Sequence, residues 1–236
     1  MARRRESTHD VLVNGTLAPT KAGCGGGGVC CWPVSSHSIR ASTQVPDLAA
    51  AMTTYIPSLT FPKIAFEQPA IAVLLPVVCG AGIGYSTRPD KTQKTYRALK
   101  QPPLHPPAWV FGPVWTTLYA AMGYTAYRAW SIGTSSFDPH TVQLAKQGAT
   151  LYTIQFGLNM IWMPLFFSMG RPIAATIDIV ALTGVVGSMA YVWGQVDQVC
   201  GWLLAPYIGW LSFATYLSAG CGYLNNWDFT DVLKEE

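Results

Sequence analysis

The stretch Pro172-Ile-Ala-Ala-Thr-Ile-Asp178-Ile-Val-Ala-Leu-Thr-Gly-Val-Val-Gly-Ser-Met-Ala-Tyr-Val-Trp193-Gly-Gln195 carries a single charged side chain, Asp178. A helix needs roughly 20 such residues to cross a hydrocarbon core about 30 Å thick. Four more stretches of the same character surround it, at 68–86, 106–130, 148–169 and 199–223. They lack the apolar-polar alternation of a membrane β-barrel. Backbone groups in lipid must be satisfied within their own segment, so the stretches are read as helices. The fold expected is an all-α integral membrane protein, a bundle of five transmembrane helices. Pro106, Pro107 and Pro172 open helices, where the missing N–H costs nothing. Pro76, Pro113, Pro164 and Pro206 fall inside them and predict kinks.

Composition agrees. Half the residues are hydrophobic and 11% are charged, against about 25% in soluble domains. A net charge of +3, spread along the chain, forms no stripe for nucleic acid. Residues 1–66 read as a flexible polar leader, 67–226 as the membrane domain and 227–236 as a short polar tail. The leader contains Arg3-Arg4-Arg5 and a glycine run, but no apolar face. No apolar region follows the arginines, which argues against a secretory signal. A mitochondrial presequence is an open reading that Glu6, Asp10 and Asp47 fit poorly. A start at Met52 is another. Cys24, Cys30 and Cys31 lack the paired spacing of a zinc site. Arg88, Lys91, Lys94, Arg97, Lys100, Arg171 and Lys234 fall on one side of a five-span topology, against Lys63, Arg128 and Lys146 on the other. The positive-inside rule puts the first side, with the C-terminus, in the cytosol.

Several residues inside the spans ask for a role. Gln155, Asn159, Trp162 and Phe166 recur at i, i+4, i+7 and i+11, so they share a face. Amides in lipid turn to the bundle interior, as a pocket wall or as interhelical bonds. Asp178 is the one acid deep in a span. Its expected partners are Arg171, two turns away, or a Trp or Tyr donor on a neighbouring helix. Trp130, Trp193 and Trp202 lie near span ends, where belt anchoring explains them. Trp115, Trp162 and Trp210 sit further inside, with Tyr119 one turn after Trp115. Trp210, Ala214, Leu217 and Cys221 form one face of the last span. Such aromatic walls suit a flat macrocycle or a sterol, or plain packing. Gly80 and Gly84 form a G-x-x-x-G pair that permits close helix approach, within or between protomers. His105 is either a haem ligand or a loop residue ordered by its prolines.

Three blocks carry a resemblance. They are His105-Pro-Pro-Ala-Trp109-Val-Phe-Gly-Pro-Val-Trp115-Thr-Thr-Leu-Tyr119, Gln155-Phe-Gly-Leu-Asn159-Met-Ile-Trp162-Met-Pro-Leu-Phe166-Phe167, and Pro206-Tyr-Ile-Gly-Trp210-Leu-Ser-Phe-Ala214-Thr-Tyr-Leu217. With Asp178 between the last two, they resemble the TspO/MBR family of tryptophan-rich sensory and translocator proteins. The resemblance runs over about residues 68–226, and the Tyr223-Leu-Asn-Asn ending is similar to fungal members. It implies a five-helix bundle, often a homodimer, with a pocket toward the cytosolic side capped by the first loop. It implies binding of tetrapyrroles such as protoporphyrin and haem, of sterols and of benzodiazepine-site drugs, with no required cofactor. It also implies a mitochondrial membrane, the outer one first, with the endoplasmic reticulum as the alternative. The residues it puts forward for ligand binding are Trp109, Phe111, Trp115, Tyr119, Gln155, Asn159, Trp162, Asp178, Trp210, Ala214 and Leu217.

The function expected is binding of tetrapyrroles and sterol-like lipids for transport or sensing. One alternative is oxidative or light-driven porphyrin degradation, with Trp115 and Trp210 as the redox-active residues. The other is a membrane scaffold with a vestigial pocket. No Ser/His/Asp set or phosphate loop is recognisable, but indole oxidation needs neither. Leu217 and Tyr223 begin a sterol motif that no Lys or Arg completes before Lys234. Ala174 stands where mammalian relatives carry a pocket tryptophan, and its spacing from Asp178 predicts that it faces the same cavity.

Overall fold

The computed structural model describes residues 54–87 and 89–229. Among them every regular element is helical. A short helix α1 (Ile64–Glu67) leads into α2 (Pro69–Ser86). Helix α3 (Pro89–Ala98) and a 3-10 turn (Ala108–Val110) lie within the connection to α4 (Phe111–Thr134). Then come α5 (Pro139–Met163), a π-turn (Pro164–Ser168), α6 (Pro172–Val196) and α7 (Gln198–Leu224). The five long helices are 18 to 27 residues long, which is about 27 to 40 Å. Helix α6 packs along α5 and α7, and α2 packs along α4. By length and composition, α2 and α6 are apolar enough to cross a membrane.

Helix starts follow their caps. Asp138 accepts from the N–H groups of His140 and Thr141 at 3.2 and 3.0 Å, with Pro139 next in line. The third long helix therefore begins at Pro139, not at Gly148. The polar run His140 to Gln147 disguised those first two turns as loop. Asp197 caps α7 through the Val199 N–H and pairs with Arg128 of α4. Burial pushes the Asp197 carboxyl up, but the Arg128 bond, the Val199 N–H and the Arg128 charge hold it below its ordinary value.

The prolines divide by position. Pro76 and Pro206 lie inside α2 and α7, as expected. Pro113, expected in a helix interior, instead falls in the first turn of α4, where its N–H is not missed. Pro164 opens the π-turn. Without an N–H it cannot continue the α ladder, and the Met169 N–H reaches back five residues to the Pro164 carbonyl at 2.9 Å.

The end of the bundle holding the α6–α7 turn, called the far end below, is packed solid. A methyl group on Gly148 would collide with the Trp193 indole, and one on Gly123 with the Ala72 carbonyl. Trp193 is fully buried and donates to the Ala145 carbonyl at 3.3 Å. Trp130 is buried too, stacked on Phe66 with ring centroids 5.2 Å apart. The belt reading of Trp130 and Trp193 is thus corrected, since Gly148 makes room for the Trp193 indole and Phe66 covers that of Trp130. Trp202 stays exposed.

The packed chain also extends past both expected domain boundaries. The Ile56 and Phe61 N–H groups donate to the hydroxyls of Thr150 and Thr153. Phe66 is completely buried. After α7, Asn225 bridges both backbone groups of Lys100, and Phe229 is buried against Phe166. Residues 1–53, with Cys24, Cys30 and Cys31, and residues 230–236 lie outside the described residues.

Candidate ligand cavity

The opposite end of the bundle, the mouth end, is hollow. A cavity of about 380 Å³ lies between the C-terminal half of α2, the start of α4, the end of α5 with its π-turn, and the faces of α6 and α7. Thr92, Gln93 and Tyr96 of α3, with Gln101, close its rim. Its walls are aromatic. Trp162 stacks on Phe166 at 5.2 Å, and Phe167 meets both rings edge-on. Trp115 leans on Tyr119 at 5.4 Å. The π-turn sets this wall, because the extra residue per turn lets Phe166 and Phe167 both line the cavity.

Gly80 fixes the opposite wall. A Cβ there would overlap the Tyr119 ring. Half of the G-x-x-x-G pair thus serves packing within the protomer. Gly84 lines the cavity with open space beside it.

One polar chain runs inward from the wall. The Tyr119 hydroxyl donates to Asn159 Oδ1 at 2.6 Å, and Asn159 Nδ2 donates to the Tyr207 hydroxyl at 2.9 Å. Tyr207 donates to Gln155 Oε1 at 3.0 Å, and Gln155 Nε2 meets Met122 Sδ. Tyr119 and Asn159 line the cavity, whereas Gln155 and Tyr207 are buried behind it. The polar face of the third long helix therefore makes interhelical bonds, and Asn159 on it also borders the cavity.

Of the other expected residues, Phe111, Trp115, Trp162, Ala214 and Leu217 line the cavity. Trp210 does not, and sits behind Phe111 at 5.9 Å with its Nε1 buried and without a partner among the described residues. Asp178 is half-buried outside the lining, with Oδ2 unpartnered among the described residues. Arg171 is exposed and makes no ion pair with it. Ala174, expected in the cavity, is half-buried outside it, where α6 contributes Ile179 and Leu182 instead. Trp109 is 73% exposed and borders a smaller hollow beside the mouth with His105. The sequence pattern does not mark Tyr96 and Met163 on the cavity lining or Tyr207 behind it. Tyr207 could have been found, because it shares a face with Ala214, and a tyrosine hydroxyl inside a bundle seeks a partner.

A model of the TspO/MBR family matches residues 72–224 of this chain, from the first turn of α2 to the last residue of α7. The chain belongs to the TspO/MBR family. It is 41% identical over 155 residues to the translocator protein homolog of Schizosaccharomyces pombe, covering 65% of this chain and 90% of that protein. It is 35% identical over 150 residues to the human translocator protein, covering 64% and 86%. It is 34% identical over 156 residues to the tryptophan-rich protein TspO of Archaeoglobus fulgidus, covering 66% and 95%. TspO/MBR proteins are membrane proteins. The cavity lies wholly within the matched region.

Proposed function

We propose that this TspO/MBR protein spans the membrane five times and binds a large, flat, mainly apolar ligand in the mouth-end cavity, for its transport or sensing. Tetrapyrroles such as protoporphyrin and haem are the first ligand class, and sterol-like lipids the second. The observation that carries the reading is the aromatic cavity itself, with Trp115, Trp162 and Phe166 as stacking surfaces and Tyr119 and Asn159 as convergent polar groups. Binding sites for such ligands are typically apolar hollows with a few fixed polar atoms.

The placement of polar residues supports five spans. Helices α4, α5 and α7 are less apolar overall, but Thr125, Gln155, Asn159 and Ser218 are buried inside the bundle. Outward, α6 presents Ile173, Ile177 and Val180, and α2 presents Ile71, Leu74 and Val78. Exposed apolar faces of this kind suit lipid. Lys94, Arg97, Lys100 and Arg171 cluster at the mouth end, which supports a cytosolic mouth and C-terminus. The family resemblance leads us to place the protein in the mitochondrial outer membrane, as a homodimer.

The test is a titration of the purified protein with protoporphyrin in the dark, read by tryptophan quenching. Saturable binding is expected, weakened at least about tenfold by Trp115→Ala, because a buried aromatic anchor contributes about 2 kcal/mol. A wild-type protein with intact helicity and no saturable binding would leave the scaffold reading in possession.

A further inference from the structure

Beside the cavity mouth lies a hollow of about 330 Å³ with different chemistry. Gln93, Tyr96, Gln101 and Ala108 border both spaces, so the two adjoin across a common rim. What the hollow adds is Arg97, His105, Pro107 and Trp109. Arg97 is exposed on α3 and makes no ion pair among the described residues.

The frame of the hollow is fixed. The Tyr96 hydroxyl donates to the Pro106 carbonyl at 2.8 Å, and Gln101 Nε2 donates to the Tyr96 carbonyl at 2.7 Å. Tyr216 of α7 donates to the Pro103 carbonyl at 2.9 Å. Leu104 is held at φ 68°, a conformation costly for a side chain of its size. The turn it makes brings His105 Nδ1 within 3.1 Å of the Pro102 carbonyl. A carbonyl only accepts, so Nδ1 is the donor, and Nε2 can donate only when the ring is protonated. Arg97 is therefore the permanent cation of the hollow.

We infer that this hollow is a carboxylate-binding vestibule. The apolar body of the ligand occupies the aromatic cavity, and an acidic group on its edge reaches Arg97 across the shared rim. This rests on the proposed function and narrows it, since an acidic polycycle engages both spaces and a neutral sterol engages one. An anionic lipid headgroup offers Arg97 the same charge, so the test must separate the two sources.

The experiment compares protoporphyrin with its dimethyl ester, which keeps the macrocycle and loses both charges. Wild type, Arg97→Gln and Arg97→Lys are titrated in neutral detergent after their melting curves have been matched. The wild type should bind the diacid about fivefold more tightly than the diester, the scale of one exposed ion pair. Arg97→Gln should abolish that preference without changing diester affinity, and Arg97→Lys should restore most of it. Added salt should weaken diacid binding alone. Equal binding of diacid and diester by the wild type would overturn the vestibule and leave the cavity reading intact. So would an equal loss of both ligands in Arg97→Gln. No saturable binding of either ligand would overturn both readings. In nanodiscs, phosphatidylserine that competes with the diacid in the wild type but not in Arg97→Gln would assign the hollow to headgroups and overturn the inference.

Discussion

A tyrosine hydroxyl buried among helices must find partners, and Tyr207 finds two, in Asn159 and Gln155. Tyr207→Phe keeps the ring but leaves one amide N–H and one amide carbonyl buried and unpaired. The expected cost is about 1 to 3 kcal/mol, read as a lower melting temperature in detergent. Porphyrin affinity should fall as well, because Asn159, which Tyr207 orients, also holds Tyr119 on the cavity wall. An unchanged melt would mean that the amides re-pair without it. The two candidate redox indoles should also separate. Trp115 lines the cavity and Trp210 stands behind Phe111, so light-driven porphyrin loss, if measured, should fall in Trp115→Phe far more than in Trp210→Phe. Equal losses would remove contact with the ligand as the explanation. Spacing alone grouped Gln155, Asn159 and Trp162, because helical period is a local property. It could not say which of them faces the cavity and which faces Tyr207, because that depends on the partner helix. Asp178 shows the same limit from the other side, since its place in an apolar run was legible and the absence of a partner for its Oδ2 among the described residues was not.

Among the elements, α5 shows what hydrophobic runs conceal. Its first turns are polar, yet Asp138 and Pro139 fix its start. The Thr141 hydroxyl, followed by the Thr141 and His140 N–H groups, holds the Asp138 carboxyl below the usual carboxylate range. A depressed carboxyl stabilises the fold above its unfolded value and loses that contribution as pH falls through the folded one. The melting temperature should therefore drop on acidification below about pH 4, the ordinary Asp value. Asp138→Asn should start lower and show a shallower drop. An identical pH profile in the variant would show that other carboxylates carry the transition. Residues 54–66 make a second case. They read as polar leader because their contacts are distant in sequence, with Phe66 reaching Trp130 and Tyr152. Deleting residues 1–51 should leave helicity and porphyrin affinity unchanged. Phe66→Ala should cost about 3 to 5 kcal/mol, the usual range for a buried phenylalanine. A truncated protein that fails to fold, or a Phe66→Ala variant that melts normally, would reverse this division of the segment.

At the scale of the whole molecule the two ends differ in kind. The far end is closed by small residues that admit close contact, Gly148 beneath Trp193 and Gly133 against Ala145. The mouth end opens between aromatic walls under a helical rim and carries Lys94, Arg97, Lys100 and Arg171. A ligand that enters or leaves by the mouth meets the compartment the mouth faces, so orientation decides which compartment supplies it. Lysine and arginine near span ends stay on the cytosolic side, and the first connection holds most of them. The prediction is that a cysteine at Lys94, in a background with the six native cysteines replaced, reacts from outside intact mitochondria. The reagent is a maleimide on a polymer too large for outer-membrane pores. A cysteine at Lys146, near the α5 start and 6.0 Å from the Tyr55 ring, should react only after the membrane is opened. Detergent-unfolded controls should label both, which separates membrane protection from local burial. Labelling at Lys146 with protection at Lys94 would turn the molecule over and give the cavity to the intermembrane space.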